Sequence, residues 1–145
     1  MEQDVYLRSA DCYFMNRDFS RAKSMYNTIQ NYSWPSSDYA TFQTAMIAGV
    51  SNSNEKINQL KSIVRRYPSS TLMPDADLEI AKTYLADEKF REAIPYLNNV
   101  INAPGANNLK PECYLKLGLS YYNLNKNEES LNQYRKLVSQ YPNSP

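Results

Sequence analysis

The sequence predicts an all-α protein, a right-handed solenoid of four helix–turn–helix repeats and eight helices, with no strand needed. Three observations predict it. First, residues recur at a fixed spacing. Tyr84 and Tyr121 stand 37 apart, as do Pro74 and Pro111, Ala81 and Gly118, and Ala93 and Ser130; stepping back 37 from Tyr84 gives Ile47, and a further 34 gives Tyr13. A constant period of this size marks a chain built from stacked supersecondary units. Second, each copy contains two segments with apolar residues at i, i+3, i+4 and i+7, the pattern of a helix with one buried face. Third, polar turns split the copies, and Pro- and Ser-containing joints separate them.

The elements follow in order. The first copy covers about residues 3–36 and is divided by Asn16-Arg17-Asp18; the joint Trp34-Pro35-Ser36-Ser37 ends it. The second, about 37–70, divides at Ser51-Asn52-Ser53 and closes on Tyr67-Pro68-Ser69-Ser70. The third, about 74–105, divides at Asp87-Glu88-Lys89 and closes on Ala103-Pro104-Gly105. The fourth, about 111–144, divides at Asn125-Lys126-Asn127. The helices expected between these breaks are roughly 12–15 residues long, within the ordinary range. All 145 residues read as one repeat domain, a length that suits a single core.

Residue size within a copy follows the packing. The eighth position is small throughout (Ala10, Thr44, Ala81, Gly118), and the twentieth is small in three copies (Ala22, Ala93, Ser130). Two helices approach closely only where both carry short side chains. Larger residues surround that crossing: Tyr13, Tyr84 and Tyr121 on first helices, and Tyr26, Leu60, Leu97 and Tyr134 on second helices. Copy two departs from the rule with Lys56, whose alkyl stem has to snorkel outward.

Counted from Pro111, the fourth copy places Tyr114, Leu117, Gly118, Tyr121, Ser130, Tyr134, Leu137 and Pro142 at the signature spacings of the tetratricopeptide repeat. The chain resembles that family over nearly its whole length. Its joints, Tyr67-Pro68-Ser69-Ser70 and Tyr141-Pro142-Asn143-Ser144, look like those of a bacterial envelope subgroup that includes the Tol–Pal coordinator and the outer-membrane assembly lipoprotein repeats. The resemblance implies a peptide or partner helix held in a groove lined by the first helices.

Composition narrows the chemistry. There is no histidine, so His-ligated metals, Ser–His and Cys–His nucleophile pairs and imidazole acid–base catalysis are all excluded. Three glycines (Gly49, Gly105, Gly118) make no phosphate-cradling loop. A net charge of +1, from 16 basic and 15 acidic residues, offers no broad basic surface to nucleic acid. No apolar run is long enough to span a bilayer, and Met1-Glu2-Gln3-Asp4 begins no signal peptide. The carboxylate pairs Asp75/Asp77, Asp87/Glu88 and Glu128/Glu129 sit at helix starts and turns, where acids complement the helix dipole. The expectation is therefore no catalysis, no cofactor and no metal.

Cys12 and Cys113 lie in the first and fourth copies, separated by helix layers of about 8–10 Å each. That is too far for a disulfide, and both are expected to be buried structural thiols. Two unpaired thiols fit an oxidising compartment poorly. The second position of every copy is acidic (Asp4, Asp38, Asp75, Glu112). The row would suit a basic partner, but first-turn acids stabilise helix N-termini by about 0.3–1 kcal/mol without one, and that reading is preferred.

By repeat position, the groove is expected to hold Leu7, Arg8, Asp11 and Phe14 from copy one, and Thr41, Phe42 and Ala45 from copy two. Copy three adds Leu78, Glu79 and Lys82, and copy four Leu115, Lys116, Leu119 and Tyr122. Tyr122 follows Tyr121 and points off the packing face. The carboxylate clamp that some members of the family use is absent, because its positions hold Leu7, Asp11, Phe42, Asp75 and Glu79. The function expected is a non-catalytic scaffold for a protein or peptide, without nucleic acid or membrane insertion, in a bacterial envelope or periplasmic assembly. The rivals are a cytoplasmic adaptor and a regulatory segment of a larger enzyme or secretion machine. The last helix carries Leu131, Tyr134, Leu137, Val138 and Tyr141, more apolar surface than one repeat covers. Solenoids need polar terminal caps, so the chain is expected to be a fragment of a longer repeat protein or to self-associate through this helix.

Overall fold

The computed structural model describes residues 2–142. Among the described residues there are eight helices and no strand: α1 (Glu2–Met15), α2 (Phe19–Asn31), α3 (Ser37–Ala48), α4 (Ser53–Arg66), α5 (Met73–Ala86), α6 (Phe90–Asn102), α7 (Lys110–Asn123) and α8 (Asn127–Gln140). Every break between them falls in a turn or joint marked by the sequence. The chain groups into two compact units, Met1–Ala76 and Asp77–Pro145, divided after the first turn of α5.

Three of the four intra-repeat turns are built alike. Arg17, Glu88 and Asn125 each take positive φ, at 62°, 58° and 62°. The next residue's N–H then donates back to the carbonyl of Tyr13, Tyr84 or Tyr121, at 2.8, 2.9 and 2.8 Å. This is the left-handed closure that satisfies orphan carbonyls at a helix C-terminus. Copy two, with Ile47 in place of that tyrosine, turns differently. There the Asn52 N–H returns to the Ala48 carbonyl at 2.9 Å, and the Asn52 side chain caps α4 by accepting from the Glu55 N–H at 3.0 Å. Lys56 lies half-buried with its stem across Gly49, in the space a Cβ would need.

In the first unit, α1, α2 and α3 share a core of Ala10, Ala22, Tyr26, Ile29 and Ala40. The two small residues of the first copy meet there, both fully buried. α4 packs on α3 and buries Ile57, Leu60 and Ile63 along one face. Two polar ties fasten the joints. The Gln3 side-chain oxygen accepts from the Ser36 N–H and hydroxyl at 3.2 and 2.8 Å. The Ser70 hydroxyl donates to Asp38 at 2.6 Å.

In the second unit, one core joins Leu78 and Ala81 of α5, Ala93, Leu97 and Val100 of α6, Ala106 of the joint, and Cys113 and Leu117 of α7. α7 and α8 cross at Gly118. The Tyr134 ring covers its Cα, and the Ser130 hydroxyl donates to its carbonyl at 2.8 Å. The expected small-residue crossings therefore form, and space at them is tight. Replacing Ala93, which is fully buried, with leucine should overpack α5 against α6 and cost about 1–3 kcal/mol. An unchanged midpoint in thermal or urea unfolding would show that the crossing has slack.

One expectation about the cysteines needs correcting. Cys113 is buried, but Cys12 is exposed, and both are free. The position that Cys12 holds in copy one is Ser120 in copy four, fully buried because α7 has α6 on one side and α8 on the other.

Candidate functional site

The first helices of the second unit carry the clearest surface. On α7, Leu115, Leu119 and Tyr122 stand at i, i+4 and i+7, on one face, and are 39%, 46% and 63% exposed. A helix that turns three large apolar groups to solvent does so against the hydrophobic effect. Charges flank the row. Lys116 pairs with Glu112 at 3.2 Å, and on α5 Lys82 pairs with Glu79 at 3.1 Å. The Glu79 hydrogen bond holds the Lys82 ammonium above its ordinary pKa against the opposing effect of burial, and the Glu112 charge adds to it. Acid and base thus alternate beside the row, and neither sign dominates. Leu78 corrects the expectation for α5: it is buried in the core with Ala81 and Leu97, not presented to a ligand.

In the first unit the expected groove residues scatter. Arg8 is exposed and Phe42 half-buried. Leu7 and Phe14 pack, half-buried, against the shared core, and Phe14 meets Phe19 edge-on with ring centroids 5.7 Å apart. Thr41 and Ala45 are buried, contrary to expectation. Their helix is packed by α2 and by α4, so it has little free face. The Thr41 hydroxyl is used internally, 2.8 Å from the Ser37 carbonyl and 2.9 Å from the Gln30 side-chain oxygen.

Asp11 is also engaged within the fold. Its carboxylate accepts a hydrogen bond from the Tyr26 hydroxyl and a second from Tyr39 at 2.9 Å. The Gln43 amide donates to the same two hydroxyls at 3.5 and 3.3 Å. Burial, and then the Asp11 hydrogen bond, push the Tyr39 hydroxyl up to about 12 and raise Tyr26 further still. Sequence reasoning missed Tyr39 and Gln43. They lie 28 and 32 residues from Asp11, and only the packing of α1, α2 and α3 brings them together. Their i, i+4 spacing on α3 was the one local signal.

Of the acidic row, Asp4 is exposed and Asp75 half-buried. Asp38 accepts from the Tyr39 N–H at 2.8 Å as well as from Ser70, and Glu112 is paired with Lys116. Two of the four therefore have intramolecular work. Burial alone raises the Asp77 carboxyl to about 6, and burial, chiefly, pushes the Cys113 thiol up to about 12, which keeps it protonated and unreactive. Among the described residues no group of three or more Cys, Asp or Glu is placed to hold a metal ion, and no helix is long and apolar enough to cross a membrane.

On α8 the expected apolar strip divides. Leu131 and Val138 face solvent, 47% and 70% exposed. Tyr134 turns inward over Gly118, Tyr141 packs on Tyr114 with centroids 6.1 Å apart, and Leu137 is half-buried.

Comparison with known proteins agrees with this geometry. Residues 4–37 and 112–144, the first and fourth copies, match a family model described as tetratricopeptide repeat. No curated protein matches the sequence significantly. A crystal structure of MamA protein superposes with a TM-score of 0.74 at 20% identity, over 97% of this chain and 73% of that one. A second MamA crystal structure gives 0.71 at 21%, over 92% and 74%. A MamA RS-1 double mutant gives 0.77 at 14%, over 98% and 76%. With family-matching repeats at its first and last copies and this likeness along its length, the chain has the tetratricopeptide-repeat fold, an all-α helical solenoid.

Proposed function

We propose that the chain is a non-catalytic scaffold that holds a partner protein or peptide on the exposed faces of α5 and α7, the first helices of its second unit, with the α7 row as anchor. The observation that carries this is the line of Leu115, Leu119 and Tyr122 turned to solvent between alternating charges. Large aromatic and aliphatic anchors with a polar rim are how protein interfaces concentrate their binding energy. The partner that fits is an amphipathic segment, apolar toward α7 and polar at both edges. Truncating Tyr122 or Leu119 to alanine should weaken a partner isolated with the intact protein by more than about 1 kcal/mol. Both side chains are exposed, so the fold is spared. Asp4→Asn, on the acidic row, should alter only the salt dependence of binding. Abolished binding in Asp4→Asn with normal binding in Tyr122→Ala would overturn the reading.

The setting we propose is a bacterial envelope assembly, supported by the style of the joints at Tyr67-Pro68-Ser69-Ser70 and Tyr141-Pro142. One observation favours the cytoplasmic adaptor instead: Cys12 is exposed and free, and exposed thiols persist in reducing compartments. Release of the natural gene product by osmotic shock supports the envelope; retention with the cytosolic fraction supports the adaptor.

A further inference from the structure

The outer face of α8 carries a pattern that the scaffold reading does not use. Glu128, Leu131, Arg135 and Val138 follow one another at i, i+3, i+7 and i+10 along a single stripe, all exposed. Leu131, Tyr134, Arg135, Val138 and Ser139 line an open hollow of about 440 Å³ on that side of the helix. Charge along α8 is polarised. Glu128 and Glu129 stand in its first turn, and Arg135 and Lys136 follow two turns later.

The acids are where the helix dipole favours them. The bases are not explained in that way. The last turn of α8 contains no basic residue, so Arg135 and Lys136 stand ahead of the region where the dipole acts. Nor is there an acid three or four residues from either of them on the helix, so they form no intrahelical pair of the usual spacing. An apolar stripe with an acidic start and a basic end is complementary to itself when reversed. This is the requirement for an isologous two-fold contact, in which one patch serves both copies.

We propose that α8 is a self-association surface on which a second copy of this chain docks antiparallel. A two-fold axis near Asn132 and Gln133 sets Glu128 and Glu129 of each copy against Arg135 and Lys136 of the other. It places Leu131 beside the axis and brings Val138 over the first turn of the opposing α8. A parallel pairing would oppose like charges and is disfavoured. The surface is separate from the α7 row, so dimerisation and partner binding are independent.

The test is sedimentation equilibrium of the whole chain over a concentration series at low and high salt. The wild type should dimerise reversibly, more tightly at low salt. Val138→Asp should weaken the dimer about tenfold or more, because it opposes an acid to the Glu128 turn. Glu128→Lys with Glu129→Lys, and Arg135→Glu with Lys136→Glu, should each leave a monomer. Mixed together, the two charge-reversed proteins should pair again, and one chain carrying all four changes should regain self-association. In a Cys12→Ser background, Asn132→Cys should cross-link to itself far faster than Val138→Cys. Far-UV circular dichroism checks that each variant keeps its helices; if the lysine pair frays α8, Glu128→Gln with Glu129→Gln takes its place. A wild-type monomer at every concentration would overturn the proposal and leave the stripe to another segment or another protein. So would a dimer indifferent to Val138→Asp and to the charge reversals.

Discussion

Replacing Asp11 with alanine is expected to lower stability by about 2–4 kcal/mol, although the residue stands on a half-exposed helix face and reads from its repeat position as a ligand contact. The carboxylate accepts from Tyr26 of α2 and Tyr39 of α3, so one side chain of α1 ties both neighbouring helices. Hydrogen bonds to a charged group contribute about 1.5–3 kcal/mol each, and a buried donor left without an acceptor adds its own desolvation cost. Partial exposure of Asp11 places the sum at the lower end. Tyr26 is fully buried in the intact fold, so its hydroxyl depends on Asp11 and Gln43 for partners. Asp11→Asn keeps one acceptor oxygen and should lose less. Urea unfolding of the two variants checks this; an Asp11→Ala midpoint equal to the wild type would show that the tyrosines do not depend on it.

The same network has a signature at alkaline pH. The Tyr39 hydroxyl titrates at about 12 in the folded protein against 10.0 ordinarily, so the unfolded chain gives up its proton first. The stability that Tyr39 contributes is therefore fully present below pH 10 and is lost as pH rises to about 12. The stability difference between the wild type and Tyr39→Phe should shrink over that interval, as pH-resolved urea unfolding would reveal. A constant difference would mean that the hydroxyl is not held protonated by the fold.

Gly118→Leu should cost about 3 kcal/mol, and Gly118→Ala a net 1–2, although alanine is the better helix former by about 1 kcal/mol. Any Cβ at this position collides with the Tyr134 ring, whose Cε1, Cζ and Cδ1 all stand closer than van der Waals contact allows. The Tyr134 ring would have to swing aside or carry α8 away from α7, and a movement of α8 would also stretch the hydrogen bond from Ser130 to the Gly118 carbonyl. The combination Gly118→Ala with Tyr134→Leu should recover part of the loss, since residues in contact couple by about 0.5–3 kcal/mol. Strictly additive losses in that cycle would refute the close contact.

What was legible from the sequence was what repeats. The period that aligns Tyr13, Ile47, Tyr84 and Tyr121 located the helices and turns, because each copy solves the same local problem of burying one apolar stripe on its own partner helix. The small residues Ala10, Ala22, Ala81, Ala93, Gly118 and Ser130 announced the crossings for the same reason: close approach leaves a mark at fixed positions. The exposed row on α7 was also within reach, since Leu115, Leu119 and Tyr122 fall on the face opposite the repeat's packing positions.

Tertiary structure alone decided what each repeat-equivalent position faces. Thr41 and Leu78 share one periodic place with the exposed Leu115 and are buried, Thr41 because α3 is enclosed by α2 and α4, and Leu78 because it enters the core with α6 and α7. Cys12 matches the fully buried Ser120 and is exposed, since Ser120 sits on a helix packed by both α6 and α8. Asp11 reads as a ligand contact until Tyr26 and Tyr39, 15 and 28 residues away, close on it. A period in sequence records the contacts every copy makes within itself. Burial and hydrogen-bond partners depend also on which helix lies next door, and that differs from one copy to the next.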